Sequence, residues 1–122
     1  MRYIKSNRLT RIVKRSEYLR VKQRGTSVAE PGVVIQAAPV ANSSSYLQPR
    51  VGFTVSKRVG NAVKRNRARR RLKSIASDVL PNEGFQAWDY VFIGRLVTLN
   101  RPYDLLLEDA RSALRKIHHK TI

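Results

Sequence analysis

The chain has 122 residues, 42% of them hydrophobic, with 25 Lys and Arg against eight Asp and Glu, a formal net charge of +17. A domain of that size buries roughly two-thirds of its unfolded surface, enough for one modest core, and the apolar content argues against disorder. Cysteine is absent, which excludes disulfide and thiolate chemistry and suits a reducing, cytoplasmic setting, and no apolar run approaches the roughly eighteen residues of a transmembrane helix.

So large an imbalance destabilises a compact state by self-repulsion unless a polyanion neutralises it. Nucleic acid is the natural partner, and an anionic membrane surface is the rival. The charged N-terminus lacks the apolar core of a secretory signal.

Residues 1–15 carry six basic side chains and no acid. They read either as a solvated tail or as a segment packing through Leu9, Ile12 and Val13. Ser16 is the expected N-cap of a first helix, with Glu17 in its first turn and its end near Gly25. Tyr18, Leu19 and Val21 fall on this helix, and Tyr18 reads as a core aromatic or as a ring on which a base can stack. An extra short strand near Ser27–Ala29 and a turn at Pro31 and Gly32 precede a β-branched strand from Val33 to Ala37, ended by Pro39. Residues 41–49 form a polar loop.

Val51, Phe53 and Val55 alternate with Gly52, Thr54 and Ser56, the period of a strand with one face on a core. The small second set offers a shallow groove or, at Gly52, room for a close-packed helix. After a turn from Lys57 to Gly60, Asn61 caps a helix expected to reach about Asp78, ahead of Pro81. Ala68, Leu72, Ile75, Ala76 and Val79 form its docking stripe. Lys64, Arg67, Arg70, Arg71 and Lys73 point away from that stripe, Arg69 flanks it, and Arg65 reaches past the sheet edge from the first turn. Nine of the seventeen residues from Lys57 to Lys73 are basic and none is acidic.

Residues 81–89 read as a loop with Trp88 as a core plug, and Tyr90 to Arg95 as a further strand. Pro102 and Asp104 open a last helix whose apolar face is Leu106, Leu107, Ala110, Ala113, Leu114 and Ile117. His118 and His119 read as inert residues on a fraying end. The elements define an α+β domain with one small sheet, a single unit over residues 1–122 with 1–8 and 118–122 expected to be flexible.

Catalysis by the chain itself finds little support. None of the eight carboxylates lies between residues 31 and 77, where charge is densest, and two-metal phosphodiester chemistry needs clustered carboxylates. There is no phosphate loop of the GxxxxGK type, no zinc spacing and no Cys/His nucleophile pair. The apolar stripe of the basic helix is needed for the core, which argues against a membrane helix. The absence of a helix-turn-helix pair favours RNA over DNA.

KRVGNAVKRNRARRRLK, from Lys57 to Lys73, resembles the signature of the bacterial ribonuclease P protein family. Gly60-Asn61-Ala62-Val63 matches the family's turn, and Arg65-Asn66-Arg67 its basic helix, with Arg69 and Arg70 on the next basic positions. RVGFTVSKRVG matches the preceding strand. Tyr18, Val21, Gly25, Asp89, Tyr90, Val91, Ile93 and Arg95 extend the match over residues 8–117. The resemblance implies a small α/β sandwich of αβββαβα order with a left-handed βαβ crossover, a fold also seen in a ribosomal protein domain. It implies a catalytic RNA as partner, one protein to one RNA, with Mg²⁺ held by that RNA, and removal of the 5′ leader from precursor tRNA. It places Lys57, Arg58, Asn61, Lys64, Arg65, Asn66, Arg67, Arg69 and Arg70 against the catalytic RNA. It places the leader in a cleft lined by Tyr18, Thr54 and Ser56, with Lys22 standing where the family has a second aromatic. A structural RNA-packing protein and a protein-only nuclease are the alternatives.

Overall fold

The computed structural model describes residues 9–40 and 49–121; residues 1–8, expected to be flexible, and the 41–48 part of the polar loop lie outside it. Eight regular elements follow in order: β1 (Thr10–Arg11), α1 (Arg15–Arg24), β2 (Thr26–Ala29), β3 (Val33–Pro39), β4 (Arg50–Val55), α2 (Ala62–Glu83), β5 (Trp88–Gly94) and α3 (Tyr103–Thr121). Short 3-10 turns at Lys57–Val59 and Leu96–Leu99 enter α2 and follow β5. The expected αβββαβα order is present, preceded by β1.

One five-stranded mixed sheet carries the domain, in the order β1-β4-β5-β3-β2. β1 and β5 run parallel to β4, while β3 is antiparallel to β5 and to β2. α2 is thus the crossover between two parallel neighbours. Strand alternation divides the side chains between two faces. Val33, Ile35, Ala37, Val51, Phe53, Tyr90 and Phe92 meet the stripe of α2 (Leu72, Ile75, Ala76, Val79, Leu80) and that of α3 (Leu106, Ala110, Ala113, Leu114, Ile117) in the main core. α1 covers the opposite face, where Val21 and Ile12 join Ala38 and Val91, with Tyr18 and Ile93 at the margin. The result is a sandwich of two helices, sheet and one helix.

Several boundaries differ from the sequence reading, each for a local reason. α1 starts at Arg15 with Lys14 as its cap, because the Lys14 carbonyl already accepts from Glu17 and Tyr18; Ser16 lies inside the helix. α2 continues past Asp78 to Glu83 with Pro81 in its last turn. That proline forfeits one bond, to the carbonyl of exposed Ser77, while buried Val79 and Leu80 hold the turn on the other side. Trp88 and Asp89 belong to β5 rather than to a loop, paired with Pro39 and Ala38. The N-terminal segment is no loose tail from Thr10 onward: it pairs with Arg50 and Val51, and Ile12 donates to the Val51 carbonyl at 2.9 Å.

α3 also runs beyond the expected fraying point. His118 is buried, shares a 2.7 Å hydrogen bond with the Tyr90 hydroxyl, and stacks on Phe85 at 3.6 Å between ring centroids. Trp88 packs edge-on against the same imidazole. Burial pushes the Tyr90 hydroxyl's pKa up, opposed by the hydrogen bond it accepts from the Phe85 amide, so it stays protonated at neutral pH.

Leu72 is fully buried at the centre of the α2 stripe. Leu72→Ala is expected to lower unfolding stability by about 2–5 kcal/mol, read as a drop in the urea midpoint.

Candidate nucleic-acid interface

The entry into α2 is built to hold its direction. Gly60 has φ 144°, a conformation that a side chain resists, and it turns the chain from the Lys57–Val59 segment into the helix. The Asn61 side chain then accepts from the Lys64 amide at 3.0 Å, the N-cap the sequence predicts. Arg65 donates to the Gly60 carbonyl at 3.0 Å and locks the turn from the helix side. Val59 is buried with Ala68 and Leu99, which pins the turn to the domain.

These contacts divide the basic residues into two groups. Lys57, Arg58, Lys64, Arg67 and Arg70 are exposed and extend from the turn and first helical turns. Asn61, Arg65 and Asn66 spend side-chain groups locally, Asn66 accepting from Arg69 at 3.1 Å. Asn66, Arg69, Arg70 and Lys73 line an open depression around Val63, whose apolar side chain is 75% exposed. Arg71 departs from the expectation that it projects outward. It is half-buried and donates to the carbonyls of Thr98, Leu99 and Arg101, closing the end of the second 3-10 turn.

None of the nine cations from Lys57 to Lys73 forms an ion pair among the described residues. The carboxylates are engaged elsewhere. Glu83 pairs with Arg115, Glu30 with Lys116, and Asp109 with Arg101, while Asp78 accepts from Tyr103. No group of three His, Asp or Glu side chains that could hold a metal ion occurs among the described residues.

A second feature lies between α1 and the sheet. Tyr18, Leu19, Lys22, Gln36, Thr54, Val91 and Ile93 line one cleft. Cross-strand register explains the grouping: Thr54 stands beside Ile93, and Gly52 beside Val91, which is itself paired with Gln36. Tyr18 sits on Gly52, where a Cβ would fall 2.5 Å from the ring. Both sequence readings of Gly52 thus find a place: close packing at Gly52, and an open groove one step along at Thr54. Tyr18 is half-buried, part core and part wall. Ser56 is exposed beyond the strand end and does not line the cleft. Gln36 was missed by the sequence reading, although it is the one polar residue in the apolar run Val33–Pro39.

The opposite end of the same sheet face carries an ion network. Arg50 and Asp89 are directly paired across β4 and β5. Arg50 Nε and Nη2 donate to the two Asp89 oxygens, each at 2.7 Å, and Nη1 reaches Glu17 at 2.6 Å. Arg20 donates to Asp89 at 2.5 Å and to the Pro39 carbonyl at 2.9 Å. Asp89 is fully buried and Arg50 is 6% exposed. The Asp89 hydrogen bonds, helped by Glu17, raise the pKa of the Arg50 guanidinium above its ordinary value against the burial that opposes it. Burial pushes the Glu17 carboxyl's pKa up, but the hydrogen bond and charge of Arg50 outweigh it and hold that pKa below the usual value.

Among the described residues the fold and site define a small one-sheet α+β domain with a rigidly capped cationic helix end that no carboxylate compensates, and a cleft that leads toward it along one strand. The ribonuclease P family model matches residues 7–118. The ribonuclease P protein component of Paramagnetospirillum magneticum is 49% identical over 90% of this chain and 84% of its own length. That of Ruegeria pomeroyi is 48% identical over 86% and 83%. The Staphylococcus aureus RNase P protein structure superposes with a TM-score of 0.71 at 25% identity, covering 89% of this chain and 95% of that one. The Thermotoga maritima RNase P protein shares the fold, with a TM-score of 0.70 at 21% identity, covering 88% and 96%. The chain belongs to the ribonuclease P protein family.

Two measurements check the local chemistry. Asn61→Ala should cost about 1 kcal/mol of unfolding stability through the lost cap, whereas Asn61→Asp should retain it. Because the Glu17 pKa is depressed below 4.5 in the folded state, its contribution is complete above that pH and lost as pH falls through the folded value. The urea-midpoint difference between wild type and Glu17→Gln should stay constant from about pH 7 to 5 and shrink below about pH 4.5.

Proposed function

We propose that the chain is the RNA-binding subunit of a ribonuclease P holoenzyme and assists a catalytic RNA in removing the 5′ leader from precursor tRNA. The observation that carries this reading is the acid-free α2 entry joined to the cleft by β4, in a protein of the ribonuclease P family. Lys57, Arg58, Lys64, Arg67 and Arg70 present unpaired charge to the phosphates of the catalytic RNA. Arg65, Asn66 and Arg69 support them while keeping donors available. Counterion release supplies much of the affinity, and the fixed helix entry supplies the orientation.

The leader lies in the α1–sheet cleft. Tyr18 offers the one aromatic face, Lys22 a phosphate contact, and Gln36 and Thr54 polar groups on the floor. From Thr54 to Lys57 is three residues, at most about 10 Å of chain, so one strand can pass from the cleft to the basic turn. Hydrolysis belongs to the RNA, which holds the Mg²⁺; the protein raises affinity for leader-bearing substrate and stabilises the active RNA. One protein binds one RNA, in the cytoplasm.

Cleavage of precursor tRNA should require the RNA: activity of the purified protein alone with Mg²⁺ would overturn the assignment of catalysis. Arg67→Ala and Arg70→Ala should each reduce the slope of log affinity against log salt for the catalytic RNA by about one unit. Tyr18→Leu should weaken holoenzyme binding to leader-bearing precursor by roughly tenfold while leaving mature tRNA unaffected. Equal effects on the binding of both RNAs would favour a general RNA-packing role.

A further inference from the structure

The face of the sheet under α1 is laid out in three rows by strand register. The first holds Arg50, Asp89 and Ala38; the second Gly52, Val91 and Gln36; the third Thr54, Ile93 and Val34. The first row is filled by the ion network, the second seats Tyr18 on Gly52, and the cleft opens across the second and third. α1 meets the rows with two different sides. Val21 is buried along its middle. Tyr18 and Lys22, one turn apart, face the cleft, while Glu17 and Arg20 face Arg50, Asp89 and the Pro39 carbonyl. The helix has only ten residues and one fully buried side chain, little apolar contact with which to fix its height and rotation.

We infer that the Glu17–Arg50–Asp89–Arg20 network is the positioning device of the leader cleft, fixing α1 so that Tyr18 and Lys22 stand at a set distance over Gln36 and Thr54. Its four members are positioning residues and act through Tyr18 and Lys22. The inference rests on the leader reading above. The network suits the task physically. Arg50 grips Asp89 with two donors in one plane, so the buried anion is fixed by strand pairing alone. The fixed pair then offers α1 one acceptor, for Arg20, and one donor, for Glu17. Two contacts of opposite polarity at different points of a helix restrain its rotation as well as its distance.

Charge provides a discriminating test. Glu17→Gln removes a negative charge near a polyanion, so simple electrostatics predicts tighter leader binding, whereas loss of positioning predicts weaker binding. The measurement uses reconstituted holoenzyme, comparing precursor tRNA bearing a long leader with mature tRNA. Asp89 is too deeply buried for a safe substitution, so Glu17→Gln and Arg20→Met are used. Each should raise the KM for leader-bearing precursor about threefold or more at unchanged kcat, with no change in the Kd of mature tRNA or in the salt slope for catalytic RNA. Tyr18→Leu, costing roughly tenfold alone, should cost less than about threefold in the Arg20→Met background. Tighter leader binding by Glu17→Gln, full additivity with Tyr18→Leu, or parallel loss of catalytic-RNA affinity would each overturn the inference. If Tyr18→Leu alone leaves leader binding unchanged, it is the leader reading that fails.

Discussion

With 25 basic residues and eight acidic ones, the placement of each carboxylate decides where positive charge is compensated and where it is not. Six carboxylates are engaged within the fold. Glu17 and Asp89 tie α1 to the sheet, Glu30 and Asp109 tie α3 and the second 3-10 turn to the strand ends, and Asp78 and Glu83 tie α2 to α3. Asp104 and Glu108 lie exposed on α3. No acid falls within the α2 entry. Self-repulsion is thus relieved where elements must be joined and retained at the entry into α2. Outside the run from Lys57 to Lys73, 16 basic residues meet all eight acids, so charge is partly compensated there and not at all within the run.

The two faces of the sheet express the same division in apolar terms. The α2/α3 face is a continuous core and sets the stability of the domain. The α1 face is only partly closed. Its small apolar cluster and its ion network cover one end and leave the other open. Buried ion pairs contribute little net stability compared with apolar packing. Their value in this fold is directional, since a guanidinium fork accepts few arrangements of its partners.

Much of this was legible in the sequence where period and charge coincide. The α2 stripe, the Asn61 cap and the basic run agree with one another, so the helix and its direction could be read together. Tyr18, Lys22 and Thr54 were placed by family resemblance, and the cleft unites them. What could not be read depends on which strands become neighbours. Arg50 and Asp89 lie 39 residues apart, and nothing local marks them as partners. The period of α2 puts Arg71 off the docking stripe, but a turn 27–30 residues later supplies the carbonyls that bind it. β1 has two residues and therefore no period to detect. Pro81 was read as a stop because the burial that outweighs its lost hydrogen bond is tertiary.

The order of strands has a consequence for how the chain is made. β5 is the last strand to be synthesised yet lies at the centre of the sheet, between β4 and β3. Until Gly94 has left the ribosome, β1 with β4 and β2 with β3 are two separate pairs with no strand to join them. The basic run is already complete by then, and it emerges without the core that will orient it. Domain closure is therefore a single late event built on long-range pairing, the kind that folds slowly. A nascent chain of this strand order carries its basic run past the RNA-rich surface of the ribosome before β5 is available to complete the sheet.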